Sequence, residues 1–467
     1  GQGADEVFAG YSWYPPLWGV EGSGADAYQA AFFDRRHAEM ADTLKGLREK
    51  MDSGVYEDPT GVTTGTGELD RSASPLVDTT VEADELRSLN EKLLQVPDSF
   101  TIHRKLRKPL GKRTEAIEQG GIEFGHAESL ALASLLTEGV PIRMTGQDTE
   151  RGTFSHRHLV LHDEKTGLAY CPMQHLEGSE APFELYNSPL SEAACMGFEY
   201  GYSAALPNGL IIWEAQFGDF ANSGQVIIDS FIVSGEAKWG QLSRLTLLLP
   251  HGYEGSGPEH SSARIERFLA LGAEGNIRIA NPTTAAQYFH LLRRQALIRK
   301  PRPLVVFTPK GLLRLAGAAS TLDELTDGFF HFVLDDPKAQ ERQQGIERLV
   351  LCSGKIYYDL DSSEKREGAE TVAIARVELL YPFAREQLKQ LMDAYPNLKE
   401  VIWVQEEPQN MGAWKVMSRR SREFLPEGIE ELGYIGRPER ASPGEGYAVA
   451  HGREQERIVL TALTPGT

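Results

Sequence analysis

One carboxylate, two phenylalanines and two histidines fall just after three apolar runs of this sequence. Glu192 follows FELYNSPLS. Phe217 and Phe220 lie in EAQFGDF, after LIIW. His251 and His260 lie in PHGYEGSGPEHSS, after LTLLL. A glutamate that bonds a ring nitrogen, aromatic rings that stack on a heterocycle and an imidazole that moves a proton together suit a heterocyclic-cofactor site. Each has a plainer reading alone. Glu192 is also a helix-start carboxylate favoured by the macrodipole, Phe217 and Phe220 also suit a core, and His260 is one of twelve histidines.

The elements that must position these residues are short. Runs rich in branched and aromatic residues predict strands over 183–186, 210–213 and 245–249, with helical spacing over 191–205 and 220–236 between them. Continuous rather than alternating apolar strands, separated by helices, predict a parallel sheet covered on both faces. Ligands of such sheets gather beyond the carboxyl ends of the strands. Glu192, Gln216 with Phe217, and His251 with His260 all follow strand ends, so they are expected on one edge.

The 467 residues suffice for two or three domains. Apolar residues make up 41% and charged residues 25%, which is ordinary globular composition. The net charge of −19 argues against nucleic acid and against an anionic membrane surface as partners. Cys171, Cys195 and Cys352 are far apart and form no CxxC pair, so neither a disulfide framework nor a structural zinc is expected. No apolar run has membrane-spanning length. These features predict a cytoplasmic protein, and the opening GQGADE, without an initiator Met, reads as a start inside a longer one.

In chain order, GQGADEVFAGY and AFFDRRHAEM resemble part of the asparagine-synthetase-like amidotransferases. The nucleotide loop of that family is absent, so residues 1–42 read as inert, and Asp5 and Glu6 have nothing to hold magnesium against. Residues 43–114 read as a polar linker or arm, interrupted by helical spacing over 83–94 and by the basic TIHRKLRKPLGKRTE, a solvated connector. Helical spacing returns over 121–139, and a strand over 142–145 leads into GQDTERGTFSHRH. Two histidines one residue apart can suggest a metal, but a hydrogen-bonded loop fits better without a carboxylate or thiolate at ligand spacing. A strand at 276–279 and an amphipathic helix from Pro282 follow, and 304–307 is expected to close the sheet. A second alternation begins after a Gly/Ala/Ser-rich break at 309–325, with strands at 348–352, 372–376 and 401–404 and helices near 384–394 and 412–424.

The motifs LSEAACMGFEYGYS, WEAQFGDFANSGQVIID, LLPHGYEGSGPEHSSARIERFL, CSGKIYYDL and QEEPQNMGAW are similar, nearly word for word, to the thiamine-diphosphate-dependent decarboxylase component of 2-oxoglutarate dehydrogenase. The likeness runs from about residue 90 to the C terminus. It implies an α/β chain: a transketolase-like pyrimidine-binding domain over 115–309, with helices on both faces of a parallel sheet, then a transketolase C-terminal-like domain over 310–467. It implies thiamine diphosphate as cofactor, with Glu192 bonding N1′ of the aminopyrimidine, Leu190 lining the ring, Phe217 and Phe220 forming a stacking wall, and His260 orienting the oxoacid or moving protons. His251 is a weaker candidate. The implied partners are 2-oxoglutarate, a second copy in a homodimer, and the lipoyl-bearing dihydrolipoyl succinyltransferase. The family's GDG…N motif, which holds the diphosphate and magnesium, is not found here. The chain therefore reads as half of each site, inactive alone, with a catalytically inert dimerisation or assembly fragment as the alternative.

Overall fold

The computed structural model describes residues 77–465. The amidotransferase-like stretch at 1–42 and the polar sequence up to residue 76 lie outside the described residues. The strands are β1 (Ile142–Gly146), β2 (Leu161–His162), β3 (Ala169–Tyr170), β4 (Phe183–Asn187), β5 (Leu210–Glu214), β6 (Thr246–Pro250), β7 (Arg278–Ala280) and β8 (Leu304–Thr308). Then come β9 (Val333–Leu334), β10 (Arg348–Cys352), β11 (Val372–Val377), β12 (Leu379–Tyr381), β13 (Glu400–Pro408) and β14 (Gly433–Arg437).

The first sheet runs β12-β7-β8-β6-β5-β1-β4 and is parallel except for β12 against β7. Residues of β1, β5, β6 and β8 are buried along their whole length, as strands covered on both faces must be. One face packs on the helices Phe124–Thr137 and Ala285–Leu297, through Leu130, Leu132, Phe289 and Leu292. On the other, Trp213, Leu247 and Phe307 share a core with Leu349, Leu351 and Trp403 of the second sheet. That sheet runs β14-β13-β10-β11-β9, parallel except for β9 against β11. Among the described residues, no helix is long and apolar enough to cross a membrane.

Three expectations need correction. The 304–308 strand does not close its sheet but lies inside it, between β7 and β6; the edge is made by Leu379–Tyr381, contributed by the second unit. The connector reading fails from residue 83 onward. The helix Ala83–Leu94 buries Leu86, Leu89 and Leu93 against the first unit, and the basic stretch is itself a helix, Arg104–Gln119, that buries Ile117. The break at 309–325 is itself packed, since Leu312, Leu313, Leu322 and Leu325 enter the same core. Finally, 220–236 is not one helix. It is a 3₁₀ segment Gly218–Gly224, one α-turn, a π turn Ile228–Ile232 and a short helix Gly235–Trp239. Glycines at 218 and 224, followed by branched Val226, Ile227 and Ile228, weaken a continuous α-helix there. Gly218 is needed for closeness: a Cβ there would lie 2.5 Å from the Pro250 carbonyl oxygen and 2.4 Å from the Ala263 Cβ.

Candidate active site

The parallel sheet puts the carboxyl ends of β4, β5 and β6 on one edge, and the segments leaving them meet there. After β4, Ser191 caps the helix Glu192–Ala205 by accepting from the Ala194 amide, which leaves Glu192 in the first turn, where the free amides favour an anion. After β5, the 3₁₀ segment turns back over this helix. Ser223 Oγ lies 2.9 Å from Glu192 Oε2 and 2.8 Å from the Phe220 carbonyl oxygen, two acceptors for its single hydrogen, which places the hydroxyl between the glutamate and the aromatic turn. Among the described residues, the other oxygen of Glu192 bonds nothing. After β6, the loop 251–263 brings the His260 ring to 4.1 Å from the Phe217 ring, edge to face at 81°. Phe217 also meets Phe220 at 5.9 Å and Phe154 at 5.7 Å, both edge-on. Such pairs contribute about 0.5–1.5 kcal/mol each beyond area burial.

The structure therefore brings Glu192, Phe217, Phe220 and His260 together. Phe217 and Phe220 are half-buried rather than enclosed, so part of each ring stays open to a ligand, unlike a core phenylalanine. Leu190 sits on the exposed approach to the glutamate helix, 42% exposed. His251 is different. It is buried, its Nδ1 accepts from the Ala263 amide at 3.1 Å and its Nε2 meets Glu407 at 2.8 Å, so both ring nitrogens are occupied.

Several residues were not anticipated. In GTFSHRH the histidines are secondary to Arg157, which is fully buried and forked between two glutamates. Its Nη1 and Nη2 donate to Glu214 at 2.6 and 2.7 Å, and its Nε and Nη2 donate to Glu128 at 2.5 and 3.1 Å. Tyr288 donates a further bond to Glu128 at 2.7 Å. Burial opposes ionisation of Glu128, but the charge and hydrogen bonds of Arg157 outweigh it and hold that carboxyl below its ordinary value. On Glu214 burial prevails and pushes the carboxyl up. This triad pins the loop that carries Phe154 and His156 beside a small cavity lined also by Pro250 and Thr308. Burial drops His156 to about 3, so the ring is neutral, and its Nδ1 has no partner among the described residues. Lys310 donates to the His260 carbonyl oxygen from the loop after β8.

Asp219, between the two phenylalanines, was also missed. Its Oδ1 is buried without a partner among the described residues. Burial pushes the carboxyl up to about 6, against the hydrogen bond of its own backbone amide and the charge of Arg264. Between its ordinary 3.8 and about 6 the folded chain holds a proton that the unfolded chain releases, so stability falls as pH rises through that window. Asp219→Asn removes a penalty that is fully present above pH 6. Discounted for partial exposure, the gain is roughly 1–2 kcal/mol. Thermal unfolding of both proteins at pH 7.5 and at pH 4 checks this: the variant is more stable at the higher pH and the gap closes at the lower. An equal gap at both would refute the assignment.

Residues 120–316 match the family described as "Transketolase, pyrimidine binding domain", and residues 319–463 match "2-oxoglutarate dehydrogenase C-terminal". Residues 1–42 lie outside both matches. The chain is 53% identical over 398 residues to the 2-oxoglutarate dehydrogenase E1 component of Geobacillus sp. (strain WCH70), covering 84% of this chain and 42% of that protein. It is 51% identical over 396 residues to that of Bacillus subtilis (strain 168), covering 84% and 42%. It is 47% identical over 442 residues to that of Azotobacter vinelandii, covering 94% and 46%. The chain thus spans under half the length of these relatives. With a transketolase pyrimidine-binding domain followed by the 2-oxoglutarate dehydrogenase C-terminal domain, it belongs to the 2-oxoglutarate dehydrogenase E1 component family, as the C-terminal part of such a protein.

Proposed function

We propose that this chain supplies the pyrimidine-binding side of a thiamine-diphosphate-dependent site that oxidatively decarboxylates 2-oxoglutarate. The observation that supports it most is the convergence of the Glu192–Ser223–Phe220 link with the Phe217–His260 edge contact at 4.1 Å, all beyond one sheet edge. The residues fit the group: a carboxylate with a free oxygen for a ring nitrogen, and half-open aromatic faces for the ring. When bound, thiamine diphosphate supplies a carbon nucleophile for the keto carbon and a place for the electron pair left as CO2 departs.

The chain's own residues do the rest. Glu192 orients the ring by holding a proton at its nitrogen. Phe217 and Phe220 wall the ring and exclude water, and Leu190 lines the approach. His260 faces the oxoacid and holds or passes a proton at its oxygen. We assign the diphosphate and magnesium to no residue described here; their anchor belongs to another part of the protein, and the complete site to a homodimer. The four-carbon unit left when CO2 departs would pass to the lipoyl arm of dihydrolipoyl succinyltransferase, whose disulfide would be the oxidant and open to a thioester and a thiol, and the enzyme is cytoplasmic.

The test is turnover of 2-oxoglutarate with cofactor, magnesium and ferricyanide as electron acceptor. This chain alone gives no detectable rate, and mixing it with a chain that carries the diphosphate-binding portion restores one. Turnover by the chain alone above a Glu192→Gln control would overturn the shared-site reading, and no turnover by the mixture would favour an inert assembly module. In the full-length enzyme, His260→Ala lowers kcat/KM for 2-oxoglutarate by about 10²-fold or more while the thermal midpoint holds. An unchanged rate removes His260 from the site.

A further inference from the structure

The loop that carries His260 is gripped from the second unit. It leaves β6 at Pro250 and returns to the helix Ile265–Leu271, and its neck is closed by the Gly252 amide donating to the Ser261 carbonyl oxygen at 3.0 Å. The His251 side chain stands in that neck. Its own amide donates to the Thr308 carbonyl oxygen at 2.9 Å, and its Nδ1 accepts from the amide of Ala263 at 3.1 Å, across the neck. A backbone amide can only donate, so Nδ1 carries the lone pair and Nε2 carries the proton given to Glu407 at 2.8 Å. Glu407 lies on β13, in the middle of the second unit's chain, and is itself buried.

Other contacts from the same unit surround this clasp. The Arg437 guanidinium lies 5.2 Å from the Tyr253 ring centroid, and the Gly412 amide donates to Glu266 at 2.9 Å. Gly255 comes so close to the C-terminal helix that a Cβ there would sit 3.3 Å from the His451 ring. Among the described residues, no hydrogen bond or ring contact joins these groups to Phe217 or His260.

We propose that Glu407 is a positioning residue for His260, acting through His251 and the neck of the loop. The C-terminal unit thereby sets where the site's imidazole stands without lending it a reacting group. The proposal rests on the reading that His260 faces the oxoacid, and its test separates the two. Hydrogen–deuterium exchange of residues 252–262 in this chain, with no cofactor, reads the clasp alone. Glu407→Ala raises exchange there about 10- to 100-fold, as loss of a hydrogen bond to a charged group allows, and leaves β8 unchanged. In the full-length holoenzyme the same variant lowers kcat/KM for 2-oxoglutarate by about tenfold or more.

Conservative variants distinguish positioning from plain charge burial. Glu407→Gln keeps an acceptor at the same reach and stays near wild type in both measurements. Glu407→Asp keeps the charge but withdraws it by one methylene, and falls between Gln and Ala. That order survives as a test even if the alanine variant fails to fold. Exchange at wild-type rate in Glu407→Ala, or an aspartate variant better than the glutamine one, overturns the proposal. A mobilised loop with unchanged kcat/KM overturns it too when His260→Ala is impaired; when His260→Ala is also unimpaired, it is the functional reading of His260 that fails.

Discussion

On the proposed reading, Glu192→Ala in the full-length protein is expected to lower kcat for 2-oxoglutarate by about 10²–10⁴-fold, the range that a positioned acid–base group contributes. The size follows from what the carboxylate can do where it stands. It occupies the first turn of its helix, where unpaired amides stabilise its charge, and Ser223 fixes one of its oxygens at 2.9 Å. In the proposed site the other oxygen would meet a ring nitrogen, and holding a proton there would be an interaction strongest in the reacting state, so its loss is expected to fall on kcat. The fold is expected to tolerate the change, because a half-buried side chain with one hydroxyl partner gives up about 1 kcal/mol. Glu192→Gln preserves an acceptor for Ser223 but not the charge, and it loses nearly as much rate as alanine. Steady-state kinetics with thermal unfolding checks both halves. Wild-type turnover in either variant would remove Glu192 from the proposed site.

What was legible in the sequence was the part written in local pattern. The strands at 210–214 and 348–352 carry the near-continuous apolar runs that a covered parallel sheet requires, those at 142–146 and 183–187 are shorter branched and aromatic runs broken by Arg143 and Glu184, and the end of the 183–187 strand, with Ser191 as a cap, places Glu192. The turn with Phe217 and Phe220 and the loop with His260 were legible because each follows a strand end. What was not legible depends on partners distant in the chain. Strand Leu379–Tyr381 reads as part of the second unit and pairs with the first, a choice set by packing rather than composition. Helix Arg104–Gln119 has too polar a surface to advertise the single buried Ile117. His251 looked like a candidate for chemistry because its partner, Glu407, is 156 positions away. One signal was present but unused: Glu128 inside an apolar helix and Glu214 at the end of an apolar strand are charges where none should stand alone.

Those two glutamates lead to the largest stability effect. Arg157→Met removes the cation that bonds both of two carboxylates that are almost wholly enclosed, Glu128 at 1% and Glu214 at 6% exposure. Breaking a buried ion pair by deleting one partner costs about 3–5 kcal/mol, because the remaining charge has neither water nor a counter-ion. Here two charges are stranded, and the loss is expected at the top of that range, a fall of several degrees in the thermal midpoint. The same deletion frees the loop between Gly146 and Leu159, so Phe154 loses its fixed place 5.7 Å from Phe217 and the aromatic wall loosens with the fold. Adding Glu128→Gln and Glu214→Gln to Arg157→Met removes the stranded charges and recovers most of the midpoint, since amides of similar shape need only hydrogen bonds. Thermal unfolding of the single and triple variants decides it. A single variant within a degree of wild type, or a triple variant no better than the single, would mean that the triad is not the clamp that holds this loop against the site.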